Sequence, residues 1–279
     1  MARPTRLTQL SSPGLDALIR ETRLSRKTLV ALLPIGSVEQ HGPLLPLGSD
    51  TILAEGMATS LAENWNEDSR SAWAGLVLPA LPYANVDSAV GFPGSLTIPH
   101  QAQREYGSAV LRAALTLDVG ALVVVNGHGP NDSWLVEAAF LLNQESMRDH
   151  DGARPPVLPA MIGRAMRPAY AALDLPEGKH ADWLEFCLVY SLVGPRLLMG
   201  REKALSEQQC AQGPVVDALP GVPLGRRSPS GVLGTGWPSG QTLEDLAPKA
   251  WDFAFGVLKA DIETRLQDSR HVCWPPHWF

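Results

Sequence analysis

The chain alternates short, unbroken apolar runs with longer segments in which apolar residues recur every three or four positions. Thr28 to Ile35 is an apolar run of strand length, and Leu76 to Tyr83 and Pro155 to Ile162 read the same way. Ala121 to Gly127, ALVVVNG, is rich in β-branched valine and ends at a glycine. Between these runs, helices are predicted around Ile52 to Glu63, over His100 to Leu117, from Asp132 onward, and over His180 to Val193. In the third of these, Trp134, Leu135, Ala138, Ala139, Leu141 and Leu142 fall at helical spacing and Asp132 can cap the start; Gly194-Pro195 stops the fourth. Strands alternating with helices predict an α/β fold, a mostly parallel sheet with helices on both faces. With no internal repeat and no clean linker, residues 1–279 are expected to form a single domain.

Composition narrows the function. At 45% hydrophobic the chain can bury a sizeable core, so it is not a disordered segment. A net charge of −6, a pI near 5.6 and the lack of a long basic run argue against nucleic acid or an anionic membrane as partner, leaving a small molecule as the expected one. The cysteines, Cys187, Cys210 and Cys273, are odd in number and have no CxxC spacing, so neither a disulfide framework nor a zinc ribbon is expected. The first residues lack the apolar core of a signal peptide, and no stretch approaches the roughly 18 to 20 apolar residues of a membrane span. A cytoplasmic protein is the expectation.

In open α/β sheets ligands bind beyond the carboxyl ends of the strands. Two loops at such ends are rich in ligand-type residues. The first, PIGSVEQHGPLLPLGSD (residues 34 to 50), is rich in proline and glycine and holds Glu39, His41 and Asp50. Glu39 and His41 are two apart, so an extended backbone would turn both side chains the same way. The second, NGHGPND, carries His128 between Gly127 and Gly129. Two imidazoles and two carboxylates converging from neighbouring strand ends form a mixed nitrogen and oxygen donor set suited to Zn, Mn or Fe. A loop Glu or His can equally well be solvated or satisfy main-chain groups, and spacing alone leaves both readings open.

The first loop resembles the signature of the creatininase (creatinine amidohydrolase) family. Further segments occur in the family's order: FPGSL (Phe92 to Leu96) resembles FPGT, NGHGPN (Asn126 to Asn131) resembles NGHGGN, HADWLE (His180 to Glu185) resembles HAGExE, and SGVLGTGWPSG resembles a glycine-rich C-terminal stretch. The resemblance implies a creatininase-like fold and two divalent metal ions, Zn, Mn or Fe, bridged by Asp50. Glu39 and His128 would lie on one ion and His41 on the other. The family's acidic residue two places after the loop histidine is Pro130 here, and Glu185 is the expected replacement. His180 matches the family's catalytic histidine, and imidazole, with an ordinary pKa near ~6.5, suits proton transfer to a departing amide nitrogen. The reaction implied is hydrolysis of a C–N amide bond in a small, possibly cyclic, substrate by metal-activated water. A homo-oligomer, a hexamer, is implied as well.

The departures from the family pattern bear on substrate. Leu44 stands where the loop usually has a histidine, Val86 and Ala89 where the segment before FPG often has Ser and His, and Asp182 and Trp183 replace the Gly and first Glu of HAGExE. Creatinine itself is therefore not the expected substrate. A deformylase, a peptide-processing hydrolase on the same site, and a metal-free scaffold remain as alternatives. Trp134 is expected in a core or interface, Trp183 in a pocket wall or in packing, and Cys187 in the core. The proline- and glycine-rich residues 211 to 240 are expected to be loop, and the ending HVCWPPHWF a docked or intersubunit tail.

Overall fold

The computed structural model describes residues 6–150, 155–175, 177–199, 223–234 and 241–271. Cys210, Cys273, the C-terminal tail beyond His271 and most of the 211 to 240 stretch lie outside them. Four strands, β1 (Thr28–Ile35), β2 (Trp73–Val77), β3 (Ala121–Asn126) and β4 (Val157–Met161), form one sheet in the order β2-β1-β3-β4 with every pairing parallel. The helices are α1 (Ser12–Leu24), α2 (Ser49–Glu67), α3 (His100–Ala114), α4 (Asp132–His150), α5 (Ile162–Ala172), α6 (Trp183–Val193), the single turn α7 (Leu224–Arg227) and α8 (Leu243–His271). None of them is long and apolar enough to cross a membrane.

Each strand divides its side chains between two apolar layers, as the pleat requires. Val30, Leu32, Val123 and Val125 face the layer built from α2, α5, α6 and α8, whereas Leu29, Ala31, Leu33, Leu122 and Val124 face α1, α3 and α4. Both faces are thus dry, which is why the strands read as continuous apolar runs. Cys187 sits in the first layer, where burial and the nearby Asp182 charge push its thiol up to about 12. Trp134 sits in the second, its ring lying over Gly107 of α3.

The helix expected over His100 to Leu117 ends at Ala114, and the strand expected over Pro155 to Ile162 is Val157–Met161, with Ile162 opening α5; two further boundaries differ for reasons the structure makes plain. The strand expected at Leu76 to Tyr83 is Trp73–Val77, because Pro79 and Pro82 have no N–H to give a ladder. The chain still tracks β1 by single bonds, Leu78 N–H to Leu32 O (2.8 Å) and Leu81 N–H to Pro34 O (3.0 Å). Pro34 is tolerated in a central strand because β2 has ended by the time its missing N–H would be needed. The helix expected from His180 starts at Trp183. Residue 180 pairs with Leu233 as an isolated antiparallel bridge, and Ala181 adopts φ 51° before Asp182 caps α6.

The first turn of α2 is pressed against the ends of β1 and β3. A Cβ on Gly127 would lie 2.2 Å from the Asp50 carbonyl oxygen, and one on Gly36 would lie 2.4 Å from the Thr51 nitrogen. Both obstacles are backbone, so neither can swing aside. Gly127→Ala is expected to cost about 1–3 kcal/mol in chemical denaturation, the usual penalty for overpacking. Gly256→Ala, in open space at the middle of α8, is expected to add roughly 0.5–1 kcal/mol instead. Equal denaturation midpoints for the two variants would contradict this account.

Candidate metal centre

The sheet delivers its ligand-type residues to one end. β1 runs into the loop that carries Glu39 and His41, β3 runs into the loop that carries His128, and α2 opens with Asp50 in its first turn. A carboxylate there is favoured by the helix dipole. Glu185 reaches in from the first turn of α6. All five side chains are buried, His41 completely.

They form two groups that share Asp50. In one, His128 Nδ1 lies 2.7 Å from Asp50 Oδ2 and 3.0 Å from Glu39 Oε1. In the other, His41 Nε2 lies 3.1 Å from Asp50 Oδ1 and 3.2 Å from Glu185 Oε1. Within each group the ligand atoms lie within 4.8 Å of one another. Pro130, two places after His128, is exposed and brings no carboxylate, while Glu185 comes to the His41 side from a distant helix. Glu39 and His41 both enter the cluster, but in different groups.

Main-chain contacts aim the imidazoles. His41 Nδ1 donates to the Glu39 carbonyl (3.0 Å) and His128 Nε2 to the Asn85 carbonyl (3.1 Å), leaving the opposite ring nitrogen of each for the carboxylates. Ser37 donates to Asp50 Oδ2 at 2.7 Å. The His128 loop is held by amides that sequence reasoning does not single out. Asn126 bonds the His128 main chain through both its side-chain atoms, Asn131 reaches the Gly36 carbonyl, and Gln103 joins Asn131 to the Asn85 N–H. Asn126 and Asn131 belong to the NGHGPN motif, so their positions are visible there; Asn85 and Gln103 carry no such signal.

The electrostatics favour cations. Burial pushes the His41 imidazole down, but the charges of Asp50 and Glu185 outweigh it and hold its pKa well above the ordinary value. Burial opposes His128 likewise, yet its bond to Asp50 and the charges of Asp50 and Glu39 raise it to about 10. Burial would raise Asp50, and the two imidazolium groups hold it well below the usual carboxylate range instead. Three carboxylates and two imidazole nitrogens, out of water and facing inward, are a donor set that fits two divalent ions of the Zn, Mn or Fe type.

His180 lies at the rim of this cluster, partly buried, its ring 4.7 Å from that of His41. Its Nε2 donates to the Gln40 carbonyl at 2.9 Å. It also falls within ligand distance of Glu39 and His41, a third possible grouping. Leu44, Val86, Ala89, Asp182 and Trp183, five of the positions that depart from the family pattern, are all buried. Trp183 packs edge-on against Phe186 within the core.

The model of the creatininase family, creatinine amidohydrolase, matches residues 19–246. A mycofactocin precursor peptide peptidase of Mycolicibacterium smegmatis is 36% identical over 121 residues, 42% of this chain and 46% of the relative. The chain thus spans about half the length of the curated relatives it matches. A crystal structure of creatinine amidohydrolase superposes with a TM-score of 0.73 at 21% identity, covering 94% of this chain and 98% of the other. A mutant creatininase of Zn–Zn type does so with a TM-score of 0.69 at 19% identity over the same shares. The last two likenesses establish the shared fold, and the family model, which takes in every residue of the two Asp50-centred groups, establishes that this chain belongs to the creatininase family.

Proposed function

We propose that the chain is a metal-dependent amidohydrolase of the cytoplasm that holds two divalent cations and cleaves a C–N amide bond in a small substrate. The observation that carries this reading is the pair of donor groups sharing Asp50. Glu39 and His128 would complete one site and His41 and Glu185 the other. Such cations supply activated water at neutral pH and polarise the carbonyl that it attacks. The protein's own part is to keep the donors dry, to fix both imidazoles through main-chain carbonyls, and to present His180 beside the cluster. From that position His180 would hand a proton to the departing nitrogen. The scaffold alternative rests on Pro130 and on the altered HAG segment; what supports the metal reading against it is the carboxylate of Glu185, 3.2 Å from His41 Nε2.

Where the family pattern places polar pocket residues, this chain buries Leu44, Val86 and Ala89, which supports a substrate other than creatinine. A peptide terminus is the second reading, favoured by the 36% identity to a peptide peptidase. Small amides, lactams, formamides and short peptides, screened against the metal-replete chain, separate the two.

Metal content tests the centre directly. Asp50→Ala should lose both ions and all turnover, whereas Glu185→Gln should weaken chiefly one, because each ion keeps a separate remaining set of ligands. An Asp50→Ala protein with full metal content by elemental analysis would refute the assignment.

His180→Ala should retain both ions yet lower kcat by about 10² to 10⁴, the usual contribution of a positioned acid or base. The deficit should shrink on activated amides or esters, whose leaving group needs no proton. Loss of an ion in this variant would instead make His180 a ligand with Glu39 and His41.

The same reading takes the chain to be a homo-oligomer, a hexamer. Light scattering at micromolar concentration should give a multiple of the 30.0 kDa chain mass, and a monomer would refute it.

A further inference from the structure

Building on the dinuclear reading, we propose that Asp182, anchored by Tyr170, is a positioning residue that sets the metal-facing oxygen of Glu185. A glutamate side chain has three rotatable bonds, so Glu185 Oε1 meets His41 and Asp50 only if the start of α6 is held in one place. Two contacts do this. Glu185 Oε2 accepts the Ala181 N–H at 2.8 Å, which turns the side chain back along the chain and leaves Oε1 facing His41 at 3.2 Å. Asp182 Oδ1 accepts the N–H groups of Leu184 (2.9 Å) and of Glu185 itself (3.0 Å). The pair resembles a capping box, with the glutamate's second oxygen kept for other use.

The other oxygen of Asp182 is held as well. Tyr170, from α5, donates its hydroxyl to Asp182 Oδ2. Two glycines close around the same side chain: a Cβ on Gly178 would lie 2.2 Å from Asp182 Oδ2, and one on Gly234 would lie 3.0 Å from Asp182 Cβ. The carboxylate plane is therefore fixed from three directions. Asp182 also stands where the HAGExE segment that HADWLE resembles has a glycine, a residue that could make none of these side-chain contacts. A second carboxylate buried near Glu185 opposes folding electrostatically. Its satisfied geometry is accounted for if the orientation of Glu185 depends on it.

The test titrates Zn²⁺ into the metal-free full chain by calorimetry with chelator competition, alongside thermal denaturation. The reference is the equivalent that Glu185→Gln weakens. Asp182→Ala should weaken that same equivalent by about 10–100-fold, the range found when an outer partner of a metal ligand is removed, and leave the other equivalent unchanged. Asp182→Asn keeps an acceptor oxygen for the two N–H groups but offers no acceptor to the Tyr170 hydroxyl, so it should weaken that equivalent about as much as Tyr170→Phe and less than Asp182→Ala. Should Asp182→Ala fail to fold, Tyr170→Phe carries the test, since it leaves the cap in place and should weaken the same equivalent by about 10-fold. Equal weakening of both equivalents, or a lower melting temperature with unchanged affinity, would reduce Asp182 to a helix cap and overturn the inference. A wild-type chain that takes up fewer than two equivalents would overturn the dinuclear reading, and the inference with it.

Discussion

One carboxylate, Asp50, is shared by two buried imidazoles, and the rest of the site is arranged around it. His41 approaches one oxygen and His128 the other, so neither histidine can shift without disturbing the partner of the other. Burying such a group costs several kcal/mol unless each charge is met by its opposite at close range. The fold meets that cost by rigidity. Asp50 sits in the first turn of α2, whose backbone lies so close to Gly127 and Gly36 that a methyl group would not fit between them. The glycines that permit this contact belong to the same strand-end loops that carry the histidines, which ties the spacing of the ligands to the packing of the sheet.

Much of this is legible in the sequence, and unevenly so. The bounds of β1 and the core of β3 can be read from apolar runs because a strand buried on both faces leaves little choice of residue. The end of β2 is misplaced by the same reading because apolar character continues past Val77 through Leu78 and Leu81, where Pro79 and Pro82 have no N–H to give a ladder; hydrophobicity reports burial and not hydrogen bonding. The start of α6 is misplaced for a related reason. His180 and Ala181 are as compatible with a helix as the residues after them, and the pairing of residue 180 with Leu233 together with the cap at Asp182 keeps them out of it.

The structure brings all five proposed ligands together, and it also shows which partners a linear reading misses. Glu39, His41, Asp50 and His128 lie on two short stretches dense in ligand-type residues, so a motif can flag them. Asn85, Gln103 and Asp182 act through contacts with residues 12 or more positions away or through backbone N–H groups, and an isolated amide or acid gives no sign of what it will meet. Glu185 stands between these cases. Its identity comes from the family resemblance, while its approach to His41 depends on a helix that begins far later in the chain.

This division of labour separates what varies in the site from what is held. The Asp50-centred donors are fixed by sheet ends, helix dipole and glycine contacts, all backbone features that tolerate little change. Among the departures, Leu44 and Trp183 instead pack in the apolar layer of α2, α5, α6 and α8, and Ala89 in a small cluster with Leu224 and Leu233, where an apolar replacement of suitable volume is readily accommodated. Asp182 belongs to neither class. It is a polar residue within the core, satisfied there by Tyr170 and two backbone N–H groups. On the proposed dinuclear reading, a chain with Pro130 in place of the family's acidic residue depends on Glu185 as the carboxylate of the His41 group beside Asp50. The contacts at the start of α6 are where this fold constrains that carboxylate.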